Sequence, residues 1–252
     1  VFCQEVAEPT SFTTVPNSTT LTCEDAISLA TLAADQCFKV EKHTVLGLMN
    51  MLRFGVDEEK ERAAFAVGCL AANCQENQVL MMECGAAQLL ADLLRESILV
   101  GSKKITTHER AWIVAALGRL ASKNASNKSI IAREGVIVEV VELIHTGNDL
   151  EREEAISTLC NLAANHEPNK DNIMATGAVG ILVNVLKREA CECVKERLWC
   201  MAALCNLAAG SVHRQSAIEA AGGIHALAKV LAFGNRKERQ RALASLAVFT
   251  EA

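Results

Sequence analysis

Four cysteines near the C-terminal end are the residues whose type and spacing could bind a metal: Cys191, Cys193, Cys200 and Cys205. Thiolates are good zinc ligands, but Cys200 and Cys205 lie five residues apart on one predicted helix and diverge by about 140° around its axis. Cys160 and Cys205 also occupy the same position in two copies of an LCNLA phrase, which indicates that their side chains pack in the core. No histidines have the spacing of three or four that gathers ligands on a helix, and no phosphate loop or nucleophile motif occurs. The sequence therefore predicts no catalytic residue, no metal site and no cofactor.

A short phrase, Leu, two variable residues, Leu and a small residue, ends a series of predicted helices. It reads LATLA from Leu29, VGCLA from Val67, LGRLA from Leu117, LCNLA from Leu159 and again from Leu204, and LAVFT from Leu246. The period is close to 40 residues except for one longer interval before Leu117. Such a period with helical content is typical of a solenoid, in which each unit buries its apolar face against its neighbours.

The clearest copy of the repeat predicts three helices. They cover about Lys128 to Glu134, Val136 to His145 and Glu151 to Ala164, with Gly135 between the first two. Asn148 or Asp149 can cap the third helix. The glycine turn recurs at three further places: Gly85, Gly177 and Gly222 with Gly223. A divergent copy begins at His43 without the glycine, which predicts a different turn or a shortened first helix.

The glycine turns align without gaps in ECGAAQLLADLL, REGVIVEVVELI, TGAVGILVNVL and AGGIHALAKVL. Together with the LCNLA endings, this pattern resembles the armadillo repeat over roughly residues 24 to 252. The resemblance implies an all-α, right-handed armadillo-repeat superhelix (α-solenoid) of about five three-helix repeats. HEAT repeats are the alternative architecture. We expect a flexible or irregular lead over 1–22 and a repeat domain over 23–252, with repeats near 23–37 (partial), 40–74, 75–124, 125–166, 167–210 and 211–252.

The resemblance also implies a concave groove lined by the third helices, where an extended peptide lies. In armadillo proteins an Asn near the end of the third helix often bonds the peptide backbone. Asn161 and Asn206 match that Asn, whereas the other copies have Cys69, Arg119 and Val248 there. A full row of asparagines is therefore absent.

Two tryptophans, Trp112 and Trp199, precede Arg119 and Asn206 by seven residues, which is about two helical turns and the same helix face. They either anchor a partner in the groove or pack between adjacent third helices. The same seven-residue spacing can be applied to the other copies of the repeat. With the residues one helical turn further on and the basic start of the last helix, it predicts a mildly basic partner-binding groove. Its residues are Arg62, Cys69, Asn73, Trp112, Arg119, Lys123, Glu154, Asn161, Asn165, Trp199, Asn206, Lys237 and Arg241.

Two regions depart from the repeat. The insertion SILVGSKKITT accounts for the long interval before Leu117, and Thr106 with Glu109 can form a capping box after it. The last predicted helix, RALASLAVFTEA, is apolar on most sides. Solenoids normally end in a polar face, so we expect either a fragment of a longer protein or an end that docks on a partner, including end-to-end self-association.

Charge and cysteine content restrict the class of partner. The formal net charge is −5, which gives no global attraction to nucleic acid or to an anionic membrane, and we expect neither nucleic-acid binding nor membrane insertion. The 11 cysteines are spread through apolar segments, which favours reduced thiols in the cytoplasm or the nucleus.

These observations predict a protein–protein interaction scaffold that binds an extended or helical segment of another protein and has no enzymatic activity. Two alternatives stay open. An importin-like transport adaptor is disfavoured because Ser157 and Ala202 stand where importin-type repeats have Trp. The chain could also be the substrate-recognition region of a larger enzyme such as a ubiquitin ligase.

Overall fold

The computed structural model describes residues 21–34, 37–72, 74–99, 107–188 and 194–249. Within these ranges the regular structure is entirely helical, in fifteen helices: α1 (Cys23–Ala33), α2 (Lys42–Phe54), α3 (Asp57–Ala72), α4 (Gln75–Glu83), α5 (Ala86–Leu99), α6 (Thr107–Ala121), α7 (Ala125–Arg133), α8 (Val136–Thr146), α9 (Asp149–Ala163), α10 (Glu167–Ala175), α11 (Ala178–Lys187), α12 (Val194–Ala208), α13 (Val212–Ala220), α14 (Gly223–Phe233) and α15 (Arg236–Ala247).

The helices form parallel stacks. The third helices α1, α3, α6, α9, α12 and α15 pack on one another in chain order, and the second helices α2, α5, α8, α11 and α14 form a neighbouring stack. The short helices α4, α7, α10 and α13 connect the units. The fold is the all-α solenoid that the repeat predicts.

The predicted glycine turns lie between the short and second helices. Gly85, Gly135, Gly177 and Gly222 have φ between +75° and +83°, a left-handed conformation that side chains disfavour. The copy without this glycine has lost its short helix: residues 37–41 are not helical, and α2 follows directly. Asn148 caps α9 through a capping box with Glu151, as predicted from the turn.

The leucines of the repeated phrase form the continuous core. Leu117, Leu120, Leu159, Leu204 and Leu207 are all fully buried. Each such side chain contributes about 1.5–3 kcal/mol relative to an exposed one, and the small residues between them let the third helices approach closely.

Buried polar residues of the short helices tie consecutive units together. Asn127 donates from Nδ2 to the carbonyl oxygen of Leu120 (2.9 Å) in α6, and Lys128 donates from Nζ to that of Ala164 after α9. Carbonyl groups at a helix end lack intrahelical partners, so these side chains act as caps on two successive third helices. The equivalent pairs are Asn77 with Gln78, Asn169 with Lys170, and Arg214 with Gln215.

Several predictions lie outside the described residues: Asn73, Thr106, Cys191, Cys193, residues 100–106 of the insertion, and nearly all of the 1–22 lead. The domain boundaries therefore stay a prediction. Among the described helices no single one is long and apolar enough to cross a membrane, although α13 and α14, bent by 71°, pass that test as a pair.

Candidate functional site

A ladder of ion pairs positions the third helices that carry the predicted groove. Arg152 Nε contacts Glu196 Oε1 at 2.6 Å, and Arg197 Nε contacts Glu238 Oε1 at 2.6 Å. Arg110 pairs with Glu151 in the same way, one helix earlier. The three glutamates are almost fully buried near the N-terminal ends of their helices, where the helix dipole also favours negative charge. Each ladder step therefore joins one third helix to the next.

Besides the ion pair of Arg110 with Glu151, helices α6 and α9 are joined by a close approach of their backbones. A Cβ added to Gly118 would lie 2.9 Å from the Cα of Thr158 and closer still to its hydroxyl. Thr158 in turn donates from Oγ1 to the carbonyl oxygen of Val114 (2.8 Å). The two helices thus touch at Gly118.

A depression of about 420 Å³ opens across α6, α9 and α12. Four residues of the predicted groove line it: Arg119, Glu154, Asn161 and Trp199. These residues come from three consecutive repeats. The sequence predicted them because they have matching positions in their repeats, and the fold brings them together around one depression. Their role in binding stays a prediction.

The two tryptophans differ in their surroundings. Trp112 packs edge-on against Phe65 of α3, with ring centroids 4.9 Å apart, and is half-buried against the core. Trp199 is 37% exposed and borders the depression. Ser157 occupies in α9 the repeat position that Phe65 has in α3, so the smaller side chain leaves space beside Trp199.

The two asparagines also differ. Asn206 donates from Nδ2 to the carbonyl oxygen of Cys160 (3.1 Å), an interaction between α12 and α9. Asn161 lines the depression, and its side-chain amide makes no hydrogen bond to any described residue. An amide offers both donors and an acceptor, so Asn161 can bond a peptide group of a ligand in either direction.

Charge in the depression is weakly paired. The Arg119 Nη2 atom lies 3.9 Å from Glu154 Oε1, and Arg119 Nη1 is buried without a hydrogen-bond partner among the described residues. Burial raises the pKa of Glu154, opposed by the nearby charges of Arg119 and Lys195. Lys195 is largely exposed and lies 3.7 Å from Glu153. Two cations, Arg119 and Lys195, therefore lie beside two carboxylates, Glu153 and Glu154, around the depression.

The remaining predicted residues are spread along the stack. Arg62 pairs with Glu58 on its own helix (3.8 Å), Cys69 is half-buried, and Lys237 and Arg241 are exposed on α15. Lys123 and Asn165 are exposed in the turns after α6 and α9, with φ of 55° and 53°. Gly210 has the same conformation after α12, so these positions also serve to end the third helix.

Similar folds occur among solved structures. A designed armadillo repeat protein in complex with the peptide (KR)4 has a TM-score of 0.77 and 21% identity, covering 90% of this chain and 92% of that chain. Computationally designed armadillo repeat proteins for modular peptide recognition give a TM-score of 0.73 and 22% identity, with 90% and 92% covered. No protein-family model matches the chain, and no curated protein matches it. The chain has the armadillo-repeat fold.

Proposed function

We propose that this chain is a scaffold that binds a segment of another protein along its third helices, without catalytic activity or a cofactor. The observation that carries the proposal is the depression at which Arg119, Glu154, Asn161 and Trp199 meet. It combines the exposed ring of Trp199, the amide of Asn161, which bonds no described residue, and a weakly paired cation, Arg119. An aromatic anchor beside a few polar groups is the usual composition of a binding hot spot.

We propose further that the bound segment is acidic and carries an apolar side chain. The predicted groove contains five cations, Arg62, Arg119, Lys123, Lys237 and Arg241, and the carboxylate of Glu154, while Glu153 also lines the depression. A carboxylate of the ligand can pair with Arg119 while an apolar side chain enters the space between Trp199 and Ser157. The backbone between them lies within reach of Asn161.

The designed relative in complex with (KR)4 supports peptide binding as the mode, but its ligand has the opposite charge. An importin-like adaptor would share a preference for basic segments. The cations of this groove repel such a ligand, so affinity for (KR)4 separates the two candidate functions.

The test uses a displayed library of random linear peptides, followed by affinity measurement on the enriched sequences. The Trp112→Phe variant leaves Trp199 as the single tryptophan, because the chain has two. Its fluorescence then reports ligand entry at the depression. We expect enrichment of acidic peptides with one large apolar residue, an emission shift on binding, and weaker affinity as salt is added.

Matched variants make the site assignment testable. Trp199→Ala with Asn161→Ala should weaken binding at least tenfold, whereas Phe233→Ala, which truncates an exposed aromatic at the end of α14, should leave it unchanged. Enrichment of basic peptides, or tighter binding of (KR)4 than of acidic peptides, would support the importin-like alternative. No enrichment, or binding insensitive to the double variant, would refute the proposed groove.

We propose the cytoplasm or nucleus as the compartment, because a scaffold with 11 cysteines is best kept reduced there. End-to-end self-association and a place in a larger enzyme remain proposals of the same rank. Sedimentation at several concentrations tests self-association.

A further inference from the structure

Two thiols and a carboxylate meet at the N-terminal end of the solenoid. The Sγ atoms of Cys37 and Cys74 and a carboxylate oxygen of Glu76 all lie within 4.8 Å of one another. Cys74 is buried, while Cys37 and Glu76 are exposed. The sequence analysis predicts no metal site. Cys37 and Cys74 lie far apart along the chain, in segments of different repeats.

The loss of the short helix in the first repeat creates this cluster. The irregular segment 37–41 runs beside the start of α4 and is pinned there by Asn77. The Asn77 Nδ2 atom donates to the carbonyl oxygen of Phe38 (2.7 Å), and the Val40 amide donates to Asn77 Oδ1 (3.1 Å). Cys74 is the N-cap residue of α4. The backbone beside each thiol is therefore fixed, for Cys37 by the bonds of Asn77 to the next residues and for Cys74 by its place at the start of α4.

The carboxylate of Glu76 is oriented from its other side. Its Oε1 atom contacts Lys39 Nζ at 2.7 Å, which leaves Oε2 facing Cys74 Sγ at 3.5 Å. In tetrahedral zinc sites, metal–sulfur distances of about 2.3 Å and metal–oxygen distances of about 2.0–2.2 Å give a sulfur–oxygen edge of about 3.5–3.7 Å. The observed separation already fits that edge.

Charge also balances around these groups. Two thiolates and one carboxylate carry three negative charges, a divalent cation carries two positive charges, and Lys39 supplies one more. Lys39 thus holds the Glu76 carboxylate in place through its ion pair and balances the charge of the loaded site.

We propose that Cys37, Cys74 and Glu76 bind one thiophilic divalent cation of the zinc type, with a fourth position open to water. On binding, each thiol loses its proton to solvent as a sulfur–metal bond forms, and no electrons are transferred. The metal joins segment 37–41 to α4 and so replaces, in the first repeat, the packing that a short helix supplies in the others.

The test is a titration of the reduced full chain with Co²⁺ alone, under a non-thiol reductant and without oxygen. Thiolate coordination gives sulfur-to-cobalt charge-transfer absorption, and tetrahedral geometry gives intense visible bands. We expect one Co²⁺ per chain, displacement by one Zn²⁺, and a higher melting temperature with Zn²⁺.

Variants locate the site. Cys37→Ser, at an exposed thiol that leaves the core intact, should abolish the charge-transfer absorption. Glu76→Gln and Lys39→Ala should each weaken Zn²⁺ affinity by about tenfold or more. Cys84→Ser, which removes a half-buried thiol outside the cluster, is the matched control and should behave as the parent chain.

Three results would overturn the proposal. These are no thiolate-to-cobalt absorption at stoichiometric Co²⁺, the same absorption in Cys37→Ser, and absorption lost equally in Cys84→Ser. Circular dichroism of each variant distinguishes lost ligation from lost folding. A Cys37–Cys74 disulfide that forms with oxidised glutathione, in a chain whose reduced form takes up no Co²⁺, would assign the pair to redox chemistry instead.

Discussion

The ring of Trp112 meets the ring of Phe65 edge-on, at a centroid distance of 4.9 Å and an interplanar angle of 65°. This contact joins α6 to α3. Two repeats later in the stack, Trp199 on α12 instead borders an open depression that Ser157 of α9 also lines. Two tryptophans in equivalent repeat positions therefore have different surroundings: one is packed between third helices, and the other is available to a ligand.

Truncating the two tryptophans should accordingly have unequal effects on stability. Trp112→Ala removes an aromatic contact and leaves a gap between α3 and α6, so we expect a loss of about 2–3 kcal/mol in the free energy of unfolding. Trp199→Ala should cost less than about 1 kcal/mol. Urea unfolding followed by far-UV circular dichroism measures both. Equal losses would mean that Trp199 is also a packing residue.

Replacing either of two helical glycines by alanine should change the stability of the fold, but in opposite directions. Gly118→Ala places a methyl group against the Thr158 backbone, which forces α6 and α9 apart and should cost about 1–3 kcal/mol. Gly180 in α11 has nothing within 4 Å of an added Cβ, so Gly180→Ala should stabilise by about 0.5–1 kcal/mol. Melting temperatures of the two variants suffice as the measurement. A stabilising Gly118→Ala would contradict the close approach of the two helices.

One pair of variants can compare how much the buried ion pairs of the ladder and the exposed ion pairs contribute to the free energy of unfolding. Arg152→Ala leaves Glu196, which is 1% exposed, without its arginine, and we expect a loss of about 3 kcal/mol or more. Lys195→Ala breaks only an exposed contact with Glu153 and should change stability by less than about 0.5 kcal/mol. Chemical unfolding at fixed pH tests this difference. Similar effects of the two variants would show that the ladder contributes little.

The sequence predicted the helices and their order because burial of apolar residues determines both. The leucines of each LxxLA phrase and the turn glycines recur with a fixed register, and Gly135 and Leu159 fill the roles that the pattern assigns to them. The groove residues were harder to predict. Repeat register places Trp112 and Trp199 alike, whereas their exposure depends on the neighbours Phe65 and Ser157 in the preceding repeat.

The ladder of ion pairs between repeats was missed, although it has a signal in the sequence. A Glu followed by a cation starts each third helix from α3 onward, in Glu59-Lys60, Glu109-Arg110, Glu151-Arg152, Glu196-Arg197 and Glu238-Arg239. When each helix is considered alone, these charged residues look like part of its solvent-exposed face. The arginine partners of Glu151, Glu196 and Glu238 lie one repeat away. Only the stacking geometry therefore reveals that the glutamates from Glu109 onward are buried, whereas Glu59 is half-buried. The cluster at Cys37 and Cys74 was missed for the same reason.

Glu109 is the ladder glutamate with the most unusual pKa. Its pKa is raised to about 7, mainly by burial; the charge of Lys60 opposes this rise, and the charges of Asp57 and Glu61 add to it. The preceding third helix offers Glu109 a lysine, whereas Glu151 and Glu196 each pair with an arginine. The folded state therefore holds the Glu109 proton more tightly than the unfolded state, in which a glutamate has a pKa of about 4.3.

This difference predicts that Glu109 lowers stability as pH rises. Between about pH 4.5 and pH 7 the folded chain binds more protons than the unfolded chain, so its contribution to the free energy of unfolding falls and stays low above that range. Glu109→Gln keeps the shape and removes the titration. The stability of Glu109→Gln minus that of the parent chain should therefore grow by up to about 3 kcal/mol from about pH 5 to pH 8. Urea midpoints of both chains across this range provide the measurement, and other carboxylates cancel in the difference. Parallel pH profiles of the two chains would show that Glu109 is already ionised in the folded state.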